Sequence, residues 1–157
     1  MIKMPQKVKD LVVKILTSHS SKMEVADGLA LGMFIGFLPI MGFQMVVSVF
    51  VATLIRKCEI AAALAVWVTN PVTFIPIYLF NYWVGLFLYP SGLEFDEVKL
   101  AFETLDVELI LGMGADVLIP LWIGSCVVGL VMAIISRILV IQFYEPIYER
   151  FHKNHVR

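Results

Sequence analysis

Phe37-Leu38-Pro39-Ile40-Met41-Gly42-Phe43-Gln44 interrupts one long apolar run of this chain, and Thr69-Asn70-Pro71-Val72-Thr73-Phe74-Ile75-Pro76 interrupts a second. A proline inside a helix removes a backbone donor and collides with the preceding turn. Each interruption therefore frees N–H and C=O groups in the middle of apolar sequence. Backbone of that kind is tolerated at membrane depth only inside protein or beside a water-filled cavity. The break residues Pro39, Gly42, Pro71 and Pro76 mark where a path or a ligand site is expected. Gln44, Asn70 and Thr73 are the polar candidates beside them.

Composition sets the class. The chain has 157 residues and is 60% hydrophobic, where a soluble domain is roughly 45–50% apolar. Its mean hydropathy is +0.88. Uncharged runs extend over 28–55, 60–93 and 117–136, each longer than the roughly 18 residues that mark a membrane-span candidate. An integral membrane protein is expected. The first run begins too late and is too long for a secretory signal peptide. Cys58 and Cys126 sit in separate segments without CxxC spacing, which argues against a disulfide framework and a zinc site.

The net charge of −1 conceals an asymmetry along the chain. Lys3, Lys7, Lys9, Lys14 and Lys22 crowd the start, Arg56-Lys57 form a basic link, and Arg150, Lys153 and Arg157 close the chain. Between Glu94 and Asp116 seven acids face Lys99 alone. The positive-inside rule then puts both termini and the 56–57 link in the cytoplasm and the acidic segment outside. A first run with both ends on one side must enter and return; the competing reading is a single broken, tilted span, which would put Arg56-Lys57 outside. Its 28 residues make about 42 Å of helix, long for one crossing of ~30 Å and short for two.

The expected fold is all-α: two or three transmembrane helices, one or two broken or re-entrant half-membrane helices, and flanking amphipathic interfacial helices, in a single membrane domain. Its parts are a basic amphipathic helix over 1–22, a re-entrant hairpin over 23–55, a broken helix and span over 60–93, an acidic external segment over 94–116, a span over 117–140 and a cytoplasmic tail over 141–157. Within 60–93 the pieces are 60–69 and 74–90, the longer one able to span. Ser21-Lys22-Met23-Glu24 reads as a capping box that starts the first apolar helix. Phe95, Val98, Ala101, Phe102 and Leu105 predict an amphipathic surface helix. The two broken segments share a loose pattern, but no residue-level repeat is legible.

Several residues carry a structural reading beside a functional one. Gly28, Gly32 and Gly36 make one helix face nearly flat, for packing within the chain or between copies of it. Glu24 and Asp27 suit a helix N-terminus, or a cation or proton. Arg56 and Lys57 mark topology, and Arg56 is a candidate for a lipid phosphate, with Glu59 a local partner. Gln44, Asn70, Thr69 and Thr73 either satisfy the freed backbone or line a site. His152 and His155 are weak evidence for a metal.

Gly28 to Gln44, Arg56, and Trp67 to Tyr78 together resemble a bacterial membrane family called "domain of unknown function 2062". The strings Gly-Phe-x-Pro-x-x-Gly-x-Gln and Asn-Pro-x-Thr-x-x-Pro-x-Tyr carry the resemblance, and Tyr78, which closes the second, joins the binding candidates. Cys58-Glu59 departs from the family pattern. The resemblance implies an inner-membrane protein and brings no activity.

No cofactor, metal or enzyme motif is present in the sequence, and a pI near 6.3 speaks against nucleic acid. The expected function is an oligomeric channel, transporter or lipid-handling protein of the bacterial inner membrane, multi-pass, with a polar path at the breaks. Gln44, Asn70 and Thr73 are expected to converge there, with Arg56 nearby. Its partners are membrane lipids and further copies of itself. The alternative is an accessory subunit that binds a membrane protein partner.

Overall fold

The computed structural model describes the backbone over 21–93, 95–104, at 108 and over 112–155, and side chains as far as residue 145. Among the described residues there are six helices and no strand. They are α1 (Lys22–Phe37), α2 (Gln44–Leu54), α3 (Glu59–Val66), α4 (Phe74–Leu88), α5 (Phe95–Thr104) and α6 (Ala115–His155). The all-helical expectation holds. The expected helix over 1–22 and Leu105 of the external stripe lie outside the described residues.

Local chemistry sets the helix ends. The Ser21 hydroxyl accepts from the Glu24 N–H, and the Glu24 carboxylate accepts from the Ser21 N–H at 2.7 Å, completing the capping box. Leu38 ends α1 with φ −71 and ψ 144, the extended backbone that a following proline imposes. Tyr89, before Pro90, ends α4 in the same way. Pro76 sits in the first turn of α4, where no intrahelical donor is lost. Arg56 ends α2 with a left-handed φ of +54, a conformation that costs a non-glycine residue about 1 kcal/mol.

α1 and α2 form a hairpin that returns to its origin. The Cys58 N–H donates to the Glu24 carbonyl at 3.1 Å, and Lys57 pairs with Asp27 at 2.7 Å. The start of α1 and the end of α2 thus lie side by side, at what we call the basal end. α3 then runs parallel to α1. A Cβ at Gly28 or Gly32 would strike Cys58 or Ala62, and one at Gly36 would sit tightly against Val66. Each of these pairs is thirty residues apart, so the two helices climb in step.

The same offset relates the breaks. Phe43 has φ −100 and ψ −12, and Thr73 has φ −98 and ψ −12. The Phe43 N–H donates to the Ile40 carbonyl at 3.1 Å, and the Thr73 N–H donates to the Asn70 carbonyl at 3.0 Å. The chain therefore repeats one backbone design, helix, break and helix, at an interval of thirty residues. The side chains differ at nearly every matched position, which is why the sequence hides the repeat. The turns differ at one point: Gly42 takes φ +85, and its counterpart Val72 does not share that conformation.

The second copy continues where the first turns back. α4 climbs away from the basal end, and α6 descends along α4 and then α1. A Cβ at Gly85 or Gly124 would strike the carbonyls of Pro120 or Asn81. Lower down, Gly129 approaches Phe34 and Phe37, and Arg137 pairs with Asp27 at 2.8 Å. The small residues Gly124, Ser125, Gly129, Ala133 and Ser136 form the buried face of α6, and close backbone approach through such residues is the usual way that helices associate without large side chains. Asp27 binds both Lys57 and Arg137 and so ties three elements together at the basal end.

Two expectations change. α6 over 115–145 is the one described helix long and apolar enough to cross a membrane. α4 has 15 residues, about 22 Å of helix, and is too short to be counted as a span. The last helix does not stop at Val140 but continues through Pro146 to His155. The amphipathic helix expected from Phe95, Val98, Ala101 and Phe102 is present as α5. Val98, Ala101 and Phe102 are buried, and α5 runs back along α4, with Phe95 stacked on Tyr82 and Phe102 edge-on to Tyr78.

The glycine face predicts a sharp size limit. Gly32→Val puts side-chain atoms into the carbonyl of Ala62 and onto Cβ of Ala65, and is expected to cost about 3 kcal/mol or more in thermal unfolding of the detergent-solubilised protein. Gly92→Ala, which meets nothing within 4 Å, is expected to leave the midpoint unchanged.

Candidate functional site

Pro39 and its neighbours leave the last carbonyls of α1 without intrahelical partners. Four side chains close on them. The Gly36 carbonyl accepts from the Thr69 hydroxyl at 2.6 Å and from Gln44 Nε2 at 3.3 Å. The Phe37 carbonyl accepts from Asn81 Nδ2 at 3.1 Å. The Leu38 carbonyl accepts from Gln44 Nε2 at 2.9 Å and from the Tyr78 hydroxyl at 3.1 Å. Gln44 Nε2 also donates to the Tyr78 hydroxyl at 3.2 Å, and Asn81 Nδ2 donates to the Ser125 hydroxyl at 3.0 Å. Gln44, Thr69, Tyr78, Asn81 and Ser125 are all buried. Three chain segments and α6 thus meet at one polar knot.

The second break is sealed from within. Asn70 Oδ1 accepts from the Val72 and Thr73 N–H groups at 2.9 and 3.3 Å. The Thr73 hydroxyl accepts from the Asn70 N–H at 3.0 Å and donates to the Val68 carbonyl at 2.7 Å. The matched positions at the first break are Ile40 and Phe43, which have no side-chain donor or acceptor. The first turn therefore has Gln44 of its own and borrows Thr69, Tyr78 and Asn81 from the second copy, while the second supplies its own partners.

The expected convergence of Gln44, Asn70, Thr73 and Arg56 is not what the structure shows. Gln44 points into the knot and Tyr78 joins it, but Asn70 and Thr73 spend their polar atoms on their own turn. Arg56 lies at the basal end, about 16 Å of helix away from Gln44. The flat face of Gly28, Gly32 and Gly36 is covered by α3 of the same chain. Glu24 serves as the capping carboxylate. Asp27 holds the chain's own Lys57 and Arg137, and Glu59 accepts from the Thr53 hydroxyl at 2.7 Å rather than pairing with Lys57.

Asn81 and Ser125 were missed. Asn81 is the one amide inside the run 74–90, and a lone amide in apolar sequence signals an internal polar partner. Ser125 follows Gly124 on the small-residue face of α6, which offers the same clue. Two buried atoms, Ser48 Oγ and Asn81 Oδ1, have no partner among the described residues.

Among the described residues, the fold and the knot define an all-helical protein with one helix long and apolar enough to cross a membrane and a helix–break–helix unit that occurs twice, first as a hairpin and then as a continuing helix. A family model described as "uncharacterized protein conserved in bacteria (DUF2062)" matches residues 6–153, and the chain belongs to that family. No curated protein and no solved structure matches the chain.

The knot predicts a ranking of substitutions. Asn81→Ala removes the donor to the Phe37 carbonyl and to Ser125, and is expected to cost about 2 kcal/mol, since a buried carbonyl is left unpaired. Thr53→Ala, at an exposed site, is expected to change stability by no more than ~0.5 kcal/mol. Thermal unfolding in detergent measures both.

Proposed function

We propose that this chain is a multi-pass integral protein of the bacterial inner membrane, with both termini in the cytoplasm, and that it handles lipid by shortening the apolar barrier that a headgroup must cross. In this reading the α1–α2 hairpin enters from the cytoplasm and turns back at mid-depth, α4 completes the crossing that α3 begins, and α6 spans. Large apolar side chains stand outward on the hairpin and its neighbours: Phe43, Val46, Phe50 and Leu54 on the first copy, Trp67 and Val72 at the second break. Only a third of the apolar window of α6 is buried, which suits a lipid-facing helix and not the core helix of a soluble domain.

The observation that carries the lipid reading is the course of α5. Its apolar stripe follows α4 down from Tyr82 to Tyr78, while Asp96, Glu97, Lys99 and Glu103 stay exposed on its other side. Charged surface thus descends to the level of the residue whose hydroxyl closes the first break. From the other side, the basic link 56–57 lies only one half-length helix below that break. The apolar layer between these charged levels is about 15–20 Å of helix, against the ~30 Å of an ordinary bilayer core. A solute path through one copy is not favoured, because the polar groups at both breaks are occupied by backbone.

Two measurements test this reading. In a variant with both native cysteines replaced, Arg56→Cys is expected to react with a membrane-impermeant thiol reagent from the cytoplasm and Glu97→Cys from the opposite side; reaction from one side contradicts the topology. In proteoliposomes, headgroup-labelled phospholipid is expected to become accessible to dithionite in both leaflets while an entrapped dye stays inside. Dye release would favour a solute channel. No change in either would favour the accessory-subunit reading.

A further inference from the structure

Arg56 occupies a position built for glycine. Its N–H donates to the Thr53 carbonyl at 3.1 Å, and the Lys57 N–H donates to the Ala52 carbonyl at 2.8 Å. This double closure ends a helix with one left-handed residue, nearly always glycine or asparagine. Arg56 adopts that backbone with φ +54, and it is the one non-glycine residue with positive φ among those described. The fold accepts strain here in order to place an arginine.

Among the described residues the strain is not repaid by a polar contact of the Arg56 side chain. Lys57 and Arg137 share Asp27, and Lys22 reaches Glu145. Glu59, the nearest acid in sequence, accepts from Thr53. Arg56 is exposed, and no hydrogen bond or ion pair to its guanidinium occurs among the described residues. The preceding Leu54 and Ile55 are 66% and 49% exposed. Among the described residues an unpaired guanidinium is thus set on the same helix end as two outward apolar side chains.

We propose that Arg56 binds the phosphate of an anionic phospholipid at the cytoplasmic edge, with Leu54 and Ile55 against the upper part of the acyl chains. The proposal rests on the lipid reading above and names the headgroup chemistry and its ligand. A guanidinium engages a phosphodiester through two parallel N–H donors, which an ammonium cannot reproduce. The adjoining apolar pair selects a lipid over free phosphate. A purely electrostatic role at the helix C-terminus would require charge alone, and lysine would then serve equally well.

The test uses the full-length protein in neutral detergent and native mass spectrometry with titrated phosphatidylglycerol, phosphatidylcholine or inorganic phosphate. Arg56→Gly is expected to weaken phosphatidylglycerol binding about tenfold without lowering the thermal midpoint, since glycine fits the backbone. Arg56→Lys is expected to lose about threefold, between glycine and arginine. Unchanged phosphatidylglycerol affinity in Arg56→Gly overturns the proposal while leaving the proteoliposome result standing. Equal binding by Arg56→Lys and the native protein overturns the bidentate assignment. Inorganic phosphate that displaces phosphatidylglycerol at equal concentration overturns the lipid source.

Discussion

Three consecutive carbonyls, those of Gly36, Phe37 and Leu38, end α1 in the middle of the molecule, and the rest of the structure is arranged to satisfy them. Each accepts from a side chain that lies elsewhere in the chain. Leaving one buried carbonyl unpaired costs about 1–3 kcal/mol, and a folded domain has only roughly 5–15 kcal/mol to spare. A turn at this depth therefore requires Thr69 from the second break, Tyr78 and Asn81 from α4, and Ser125 behind Asn81 on α6. The close approaches of Gly28, Gly32 and Gly36 to α3, and of Gly85 and Gly124 between α4 and α6, are what bring those donors within reach.

The two helix–break–helix copies show two solutions to one backbone problem. The second copy closes its turn with Asn70 and Thr73, and it would do so in any surroundings. The first copy has Ile40 and Phe43 at those positions and depends on the second. That dependence makes the pair a single folding unit: the first turn is complete only when α4 is in place. It also frees the outer side of the first turn to be apolar throughout, with Met41 and Phe43 exposed, which suits a tip lying among acyl chains.

Much of this was legible in the sequence. Pro39 and Pro71, set in apolar runs, announce both breaks, and Ser21 with Glu24 announces the first helix to the residue. The charge pattern around Arg56-Lys57 anticipates a hairpin whose ends meet, which the Lys57–Asp27 pair displays. What could not be read was the partner of each polar group. Asn70 and Thr73 lie three apart and could satisfy each other's turn locally, whereas the first break also needs Thr69, Tyr78 and Asn81, 33 to 44 positions from the carbonyls they serve. Sequence spacing carries local capping but not long-range donors, so residues of the same type were assigned one role and have two. The repeat was hidden for a related reason: backbone geometry is preserved at an interval of thirty residues while side chains diverge, because one turn is sealed from outside and the other from within.

Depth is the quantity on which this account turns. Backbone polar groups on the outside of a turn can be left to water at an aqueous surface but must be sealed by protein in hydrocarbon. Spin labels at Phe43 and Val72, read in lipid bilayers by their relative collision rates with oxygen and with a water-soluble nickel chelate, locate both tips directly. Both are predicted near the bilayer midplane, with oxygen strongly favoured over nickel, and with a label at Arg56 at headgroup level. Nickel accessibility at Phe43 and Val72 equal to that of an aqueous loop would contradict the account.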